Sequence, residues 1–314
     1  MKRHFFAIIA IVLLLAVLVT SCGKRVPEPS PTPEPTITPD PHEGEVEVRA
    51  PAGGTMWVPE APSMAVFEHA YSDFTVSDQI PYYSGQGLTM RRGIDVSDHQ
   101  HEIDWQAVAD YGIEFAIIRC GYRTYEAGAL REDSRFRENI EGALAAGLDV
   151  GVYFFSQATN ILEAAEEAIF TVHLIEEYDV TLPVFFDWET IDVAPARTDN
   201  LPNDILTACA LEFCELVEAA GYEPGVYSYL NLAYFRYELE QLAGLTFWMG
   251  DPGTMPIFYF DHDFWQYSFT ATVPGIDVDV DLDAMYIRPQ AVTPSPAPVV
   301  VIVTPQPDVP QPVG

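Results

Sequence analysis

The stretch Leu182–Ile191, LPVFFDWETI, decides how the rest of the chain is read. From Leu182 to Phe186 every residue is apolar, on both faces of an extended chain. A strand tolerates that only when helices cover both sides of its sheet. Asp187 and Glu189 then stand two residues apart at its end. Alternate side chains of a strand point the same way, so the two carboxylates project together from the tip of a buried strand. Trp188 turns to the opposite side and belongs to the core.

Outward from this stretch the same pattern repeats. GIDVS (93–97), FAIIRC (115–120), DVGVYFFS (149–156) and GVYSY (225–229) are strand-like runs, and an amphipathic helical segment follows each. Gly112, Gly147 and Gly221 fall where a helix-terminating glycine belongs. LTFWMG, FWQYS and VDVDLDAMY come last, with little helix between them. Regular βα alternation predicts a parallel sheet. About eight strands in about 200 residues predict an irregular (β/α) barrel of TIM-like type whose final strands lack helices.

The barrel is expected over residues 91–288, between less regular segments. Residues 1–21 read as an export signal, with Lys2 and Arg3 before an apolar run from Phe5 to Thr20 that is short for a membrane span. Val19-Thr20-Ser21-Cys22 resembles a bacterial lipobox, which implies lipidation at Cys22 and an extracytoplasmic protein anchored to the outer face of the cell membrane. Residues 22–42 form a Pro-rich tether. Residues 43–90 carry aromatics without periodicity and remain ambiguous between linker and packed extension. Residues 289–314 form a Pro/Val-rich tail in which VVVIV could add an edge strand.

Composition narrows the partners. The 314 residues carry a formal net charge of −32, which excludes nucleic acid as a partner and offers no attraction to anionic lipid or wall polymers. Cys120, Cys209 and Cys214 are odd in number and read as buried thiols. His99-x-His101 and Asp261-His262-Asp263 lack a further spaced ligand set, so neither metal nor cofactor is expected, and a monomer is. Glu163, Glu166 and Glu167 read as a solvated helix face.

In parallel barrels the chemistry sits at the C-terminal ends of the strands. Those ends here carry Asp95, Tyr153, Asp187, Glu189, Tyr227, Trp265, Gln266, Tyr267 and, in the last region, Asp277, Asp279 and Asp281. Aromatic faces can stack on pyranose rings, and carboxylates do acid/base work on glycosidic bonds. Trp265 and Tyr267 fit cleft lining or barrel packing equally well.

GIDVSDHQ…IDW, GVYFFS, FFDWE, GVYSY, FWQYS and VPGIDVDVDLD, in this order and spacing, resemble glycoside hydrolase family 25, the bacterial and phage N-acetylmuramidases. The resemblance covers about residues 92–287. It implies an irregular β/α barrel and peptidoglycan glycan strands as substrate. It makes Glu189 the general acid, Asp187 its acidic partner, and Asp95 and Asp277 the other cleft carboxylates; the DVDVDLD run leaves the register of the last one open, with Asp281 the second choice after Asp277 and otherwise structural. Tyr153, Tyr227, Trp265, Gln266 and Tyr267 become candidate substrate contacts. Many members carry His after the Tyr of GVYFF; Phe154 stands there, which bears on one such contact. Two neighbouring acids repel, so the pKa of one should rise, and Glu189 is the expected proton donor. A chitinase-like enzyme, a metal-dependent deacetylase and a non-catalytic wall-binding module are the competing readings.

Overall fold

A computed structural model of the chain describes residues 40–289. The export signal, Cys22, most of the tether and the VVVIV run lie outside the described residues. The chain opens with two antiparallel hairpins, β1 (Glu45–Arg49) with β2 (Thr55–Pro59), and β3 (Phe74–Ser77) with β4 (Ile80–Tyr83). Then come β5 (Thr89–Val96), α1 (Trp105–Asp110), β6 (Phe115–Arg123), β7 (Leu130–Glu132), α2 (Phe136–Ala145), β8 (Asp149–Ser156), α3 (Ile161–Ile175) and β9 (Val184–Trp188). The chain continues through α4 (Asn203–Ala219), β10 (Pro224–Tyr229), α5 (Leu230–Arg236), β11 (Thr246–Gly250), β12 (Phe264–Ala271) and β13 (Val280–Ile287).

Neighbouring strands run β5-β6-β8-β9-β10-β11-β12-β13, and β13 pairs back onto β5, so the sheet closes into an irregular TIM-like barrel. β7 pairs with the far end of β6. Every neighbouring pair around the barrel is parallel except those of β13, which runs antiparallel to both β12 and β5. Gly112, Gly147 and Gly221 all take positive φ (91°, 82° and 94°), the left-handed turn that ends a helix and that glycine adopts without a Cβ clash.

Helices α2, α3 and α4 pack on β6, β8, β9 and β10. The helix-poor arc from β11 to β13 is covered by the segment that sequence left ambiguous. Val48, Val58, Met64, Phe67 and Phe74 are buried in the main core. Phe67 packs on His262 and Tyr286, and Phe74 on Trp265 and Tyr286. A bridge joins Val66 to Phe260. The extension replaces the missing helices, because apolar outer faces of β12 and β13 need a cover of some kind.

The barrel interior forms a core of its own: Phe115, Ile117, Tyr153, Phe185, Tyr227, Trp248, Phe264 and Met285. Its upper aromatics, Tyr153, Tyr227 and Trp248, form the floor on which the site stands.

Candidate active site

Strand alternation places the acids. On β9, Phe185 points into the barrel, Asp187 follows on the same side, and Glu189 stands just beyond the strand. On β5 the inward residue at the same rim is Asp95. β13 runs the other way, so its beginning, not its end, meets this rim: Asp281 lies opposite Asp95 in register, and Asp283 opposite Gly93. β12 contributes Gln266. Asp95, Asp187, Glu189, Gln266 and Asp281, together with Tyr153, Tyr227, Trp248 and Phe269, line a pocket of about 230 Å³. It adjoins a groove of about 780 Å³, with which it shares Glu189, Tyr227 and Phe269.

A hydrogen-bonded chain stiffens the floor. Tyr227 Oη donates to Gln266 Oε1 at 2.7 Å. That turns the amide so that Gln266 Nε2 donates to Asp95 Oδ2 at 2.7 Å and to Asp281 Oδ2 at 3.2 Å. Trp248 Nε1 donates to Asp283 Oδ1 at 2.8 Å. A Cβ at Gly250 would fall 2.6 Å from the Tyr227 hydroxyl, so only glycine leaves room for this chain.

All five acids hold their protons more tightly than an ordinary carboxyl. Burial, then the charges of Asp281 and Asp283, raises Asp95 well above the usual range. Burial, then the charge of Glu189, does the same to Asp187, and Arg119 opposes it. Burial and the charge of Asp281 push Glu189 up to about 7. Burial carries Asp281 to about 6 and Asp283 to about 8. The sequence led us to expect one raised acid in the pair, lifted mainly by repulsion. Both are raised, burial is the larger cause, and the charge that lifts Glu189 is that of Asp281 rather than of its neighbour Asp187. Asp187 Oδ1 is buried and has no hydrogen-bond partner among the described residues.

A family model for the glycosyl hydrolases family 25 matches residues 94–276, which is more than half of the chain. The chain belongs to this family. It is 25% identical over 188 residues to an autolytic lysozyme of Clostridium acetobutylicum, covering 59% of this chain and 52% of that protein. It is 24% identical over 176 residues to a lysozyme of Lactococcus phage mv1, covering 54% of this chain and 82% of the phage protein. The fold is similar to that of the modular autolysin LytC of Streptococcus pneumoniae, with a TM-score of 0.56 at 22% identity over 78% of this chain and 57% of the other. The chain thus spans about half the length of the clostridial relative.

Not every family position anticipated from sequence lies in the cleft. Asp95, Tyr153, Asp187, Glu189, Tyr227 and Gln266 line the pocket together. Asp277 does not: it is exposed in the loop before β13, and Asp281 stands at the rim instead. The antiparallel turn-back of β13 is the reason, since it brings the strand's first residues rather than the preceding loop to the acids. Trp265 and Tyr267 also lie elsewhere. With Gln266 inward, its neighbours must point outward. There Trp265 Nε1 donates to Asp251 O at 2.7 Å while its ring meets Phe74 of the extension edge-on, and Tyr267 Oη donates to Gln79 O of the extension at 2.9 Å. Phe154, the departure from the family pattern, is likewise outward and packs on Phe170.

Sequence reading passed over Trp248 and Asp283, and also Arg119, which salt-bridges Asp133 at 2.7 Å and Asp98 at 2.5 Å beside the cleft. The solvated-face reading of three glutamates holds for Glu166 alone. Glu167 is fully buried against Arg123, and Glu163 is held by Arg197. Cys120, Cys209 and Cys214 are free and buried.

Proposed function

We propose that the protein is a peptidoglycan hydrolase of lysozyme type, an N-acetylmuramidase that cleaves the β-1,4 bond between N-acetylmuramic acid and N-acetylglucosamine. One observation carries this reading. Asp187, on the inner face of β9, and Glu189, just beyond its end, line one pocket where it opens into a groove, and both hold their protons more tightly than an ordinary carboxyl. Glu189, at about 7, stays protonated enough at neutral pH to donate to the leaving glycosidic oxygen. Asp187, once ionised, stabilises the oxocarbenium- or oxazolinium-like carbon that develops beside it. Arg119 favours that ionised form. Tyr153, Tyr227 and Trp248 offer ring faces and edges to a sugar, and Asp95 and Asp281, steadied by Gln266, offer acceptors to its hydroxyl or amide groups.

The relatives bearing the names lysozyme and autolytic lysozyme support the same activity. The decisive measurement is mass spectrometry of purified peptidoglycan after digestion. New reducing ends on N-acetylmuramic acid are the expected result; reducing ends on N-acetylglucosamine, or deacetylation without chain cleavage, would overturn the reading.

The charged and then apolar N-terminus ending at Cys22 supports a lipid anchor on the outer face of a bacterial cell membrane, with the Pro-rich tether holding the barrel off the surface. Cys22→Ser should abolish metabolic lipid labelling and release the protein into the medium. A wild type that carries no lipid and fractionates as a free secreted protein would remove the anchor from this account.

A further inference from the structure

One wall of the large groove comes from outside the family match. Arg49, Ala50, Pro51, Gly53 and Gly54, at the end of β1 and in its turn into β2, line the same cavity as Glu189 and Tyr229. The matched residues begin only at Ile94. This wall is anchored. Val48 and Val58 are buried, and β2 packs against α5. The guanidinium of Arg49 lies 5.1 Å over the Tyr71 ring, whose hydroxyl donates to Phe258 O at 3.3 Å. Gly53 and Gly54 turn the chain with positive φ of 87° and 79°.

The charge of this wall is what sets it apart. Arg49 is the one cationic side chain among the described residues lining either cavity, and it is exposed. The groove otherwise carries Glu189, Asp192 and Asp251, and the inner pocket adds Asp95, Asp187 and Asp281. A glycan bearing carboxylates would be repelled from such a surface on a chain of net charge −32. A guanidinium matches a carboxylate with two parallel hydrogen bonds. Stacking on Tyr71 already restricts its motion, so less freedom is lost on binding.

We propose that Arg49, presented by the β1–β2 turn, is a specificity-determining residue that binds a carboxylate of the glycan strand. This rests on the muramidase reading above. In a wall glycan the carboxylate has two sources, the lactyl ether of muramic acid and the stem peptide attached to it, and the chemistry of recognition is the same for both.

The test uses the full chain with Arg49→Gln and Arg49→Lys. KM and kcat are measured on soluble glycan strands bearing stem peptides, on strands stripped of stems, and on both after carbodiimide amidation. Arg49→Gln should raise KM roughly three- to tenfold on carboxylate-bearing strands, with kcat little changed. Amidation should erase the difference, and Arg49→Lys, which keeps the charge but not the paired hydrogen bonds, should recover only part of it. A shift on stem-free strands assigns the lactyl carboxylate; a shift only with stems assigns the peptide. Unchanged KM on every substrate, or a shift that survives amidation, overturns the proposal. Calorimetry of the same strands on Glu189→Gln protein, with and without Arg49→Gln, separates the two readings. Carboxylate-dependent binding through Arg49 without wild-type turnover would sink the muramidase reading alone. Equal affinities would sink this one alone.

Discussion

Glu163, Glu166 and Glu167 on α3 meet Arg123 and Arg197, whereas among the described residues the five acids of the cleft form no ion pair with an arginine: Arg119, the cation beside them, is already paired with Asp98 and Asp133. Burial pushes Glu163 upward, but hydrogen bonds from Arg197 and Thr159 outweigh it and hold the group below the ordinary range. Glu167 is more instructive. Burial raises it to about 7 despite Arg123 and Ser156, the same level as Glu189. Both oxygens of Glu167 are taken, one by Arg123 Nε at 2.6 Å and one by Ser156 Oγ at 2.6 Å. The carboxyl of Glu189 meets no hydrogen-bond donor among the described residues and faces a groove. A pKa near neutrality therefore does not by itself distinguish the candidate acid from a structural one; an uncommitted oxygen at an open surface does.

The comparison is broken or sharpened first by exchanging one glutamate in each cluster. Glu189→Gln keeps the shape of the side chain but cannot donate a proton. Turnover on peptidoglycan should fall by roughly 10²–10⁴-fold, with the melting temperature unchanged or higher. Glu167→Gln should lose stability and keep turnover once folded. Folded Glu167→Gln protein that is as inactive as Glu189→Gln would show that the α3 cluster takes part in the chemistry.

Stability should respond with opposite signs in the two clusters. Arg123 is nearly fully buried, and removing one partner of a buried ion pair costs about 3–5 kcal/mol. Arg123→Met should therefore lower the urea midpoint sharply. In the cleft, burial raises Asp283 to about 8. A folded-state pKa above the unfolded value near 4 means the group's contribution to stability is fully present below about pH 4 and is lost as pH rises toward 8. Asn stays neutral throughout and can keep its oxygen on Trp248 Nε1. Asp283→Asn should then be more stable than wild type at pH 8, by about 1 kcal/mol or more, with the advantage vanishing near pH 4. Equal urea midpoints at pH 8 would mean that Asp283 is not held protonated by its surroundings.

How much of this was legible in sequence follows from what is local. Period-two alternation at Phe185, Asp187 and Glu189 is local, and it placed the central pair. The βα repeats were local too, and they gave the barrel. The direction of β13 is not local: nothing in DVDVDLD says whether the strand enters or leaves the acidic rim, so Asp277 was chosen where Asp281 stands. For Trp265, Gln266 and Tyr267 the alternation was visible, but which set faced inward depended on register with β11 and β13. Trp248 was hidden because β11 is buried on both faces from Phe247 onward, which erases the polar side that marks an orientation. The extension at 43–90 has no periodicity because it packs through separate anchors such as Phe67 and Phe74 rather than through a continuous face.

The smallest expected effect tests the electrostatics inside the cleft. Asp281 lies opposite Asp95, and after burial its charge is the cause that lifts Glu189 to about 7. Asp281 itself loses its proton near 6, so it is largely anionic over the range where Glu189 titrates. Asp281→Asn removes that charge and leaves burial in place, so the pKa of Glu189 should drop without reaching the ordinary carboxyl value. A general acid works only while protonated, so the alkaline limb of kcat/KM should move to lower pH, by roughly half to one unit. Asp283→Asn is the internal comparison. It lies one residue pair deeper on β13, bonded to Trp248, and does not figure among the causes acting on Glu189, so its alkaline limb should stay with wild type. If Asp281→Asn leaves the limb where it was, or moves it upward, the proton that governs turnover is not on Glu189 under the influence of Asp281. Asp187, the more deeply buried member of the pair, would then have to be the group whose ionisation ends activity.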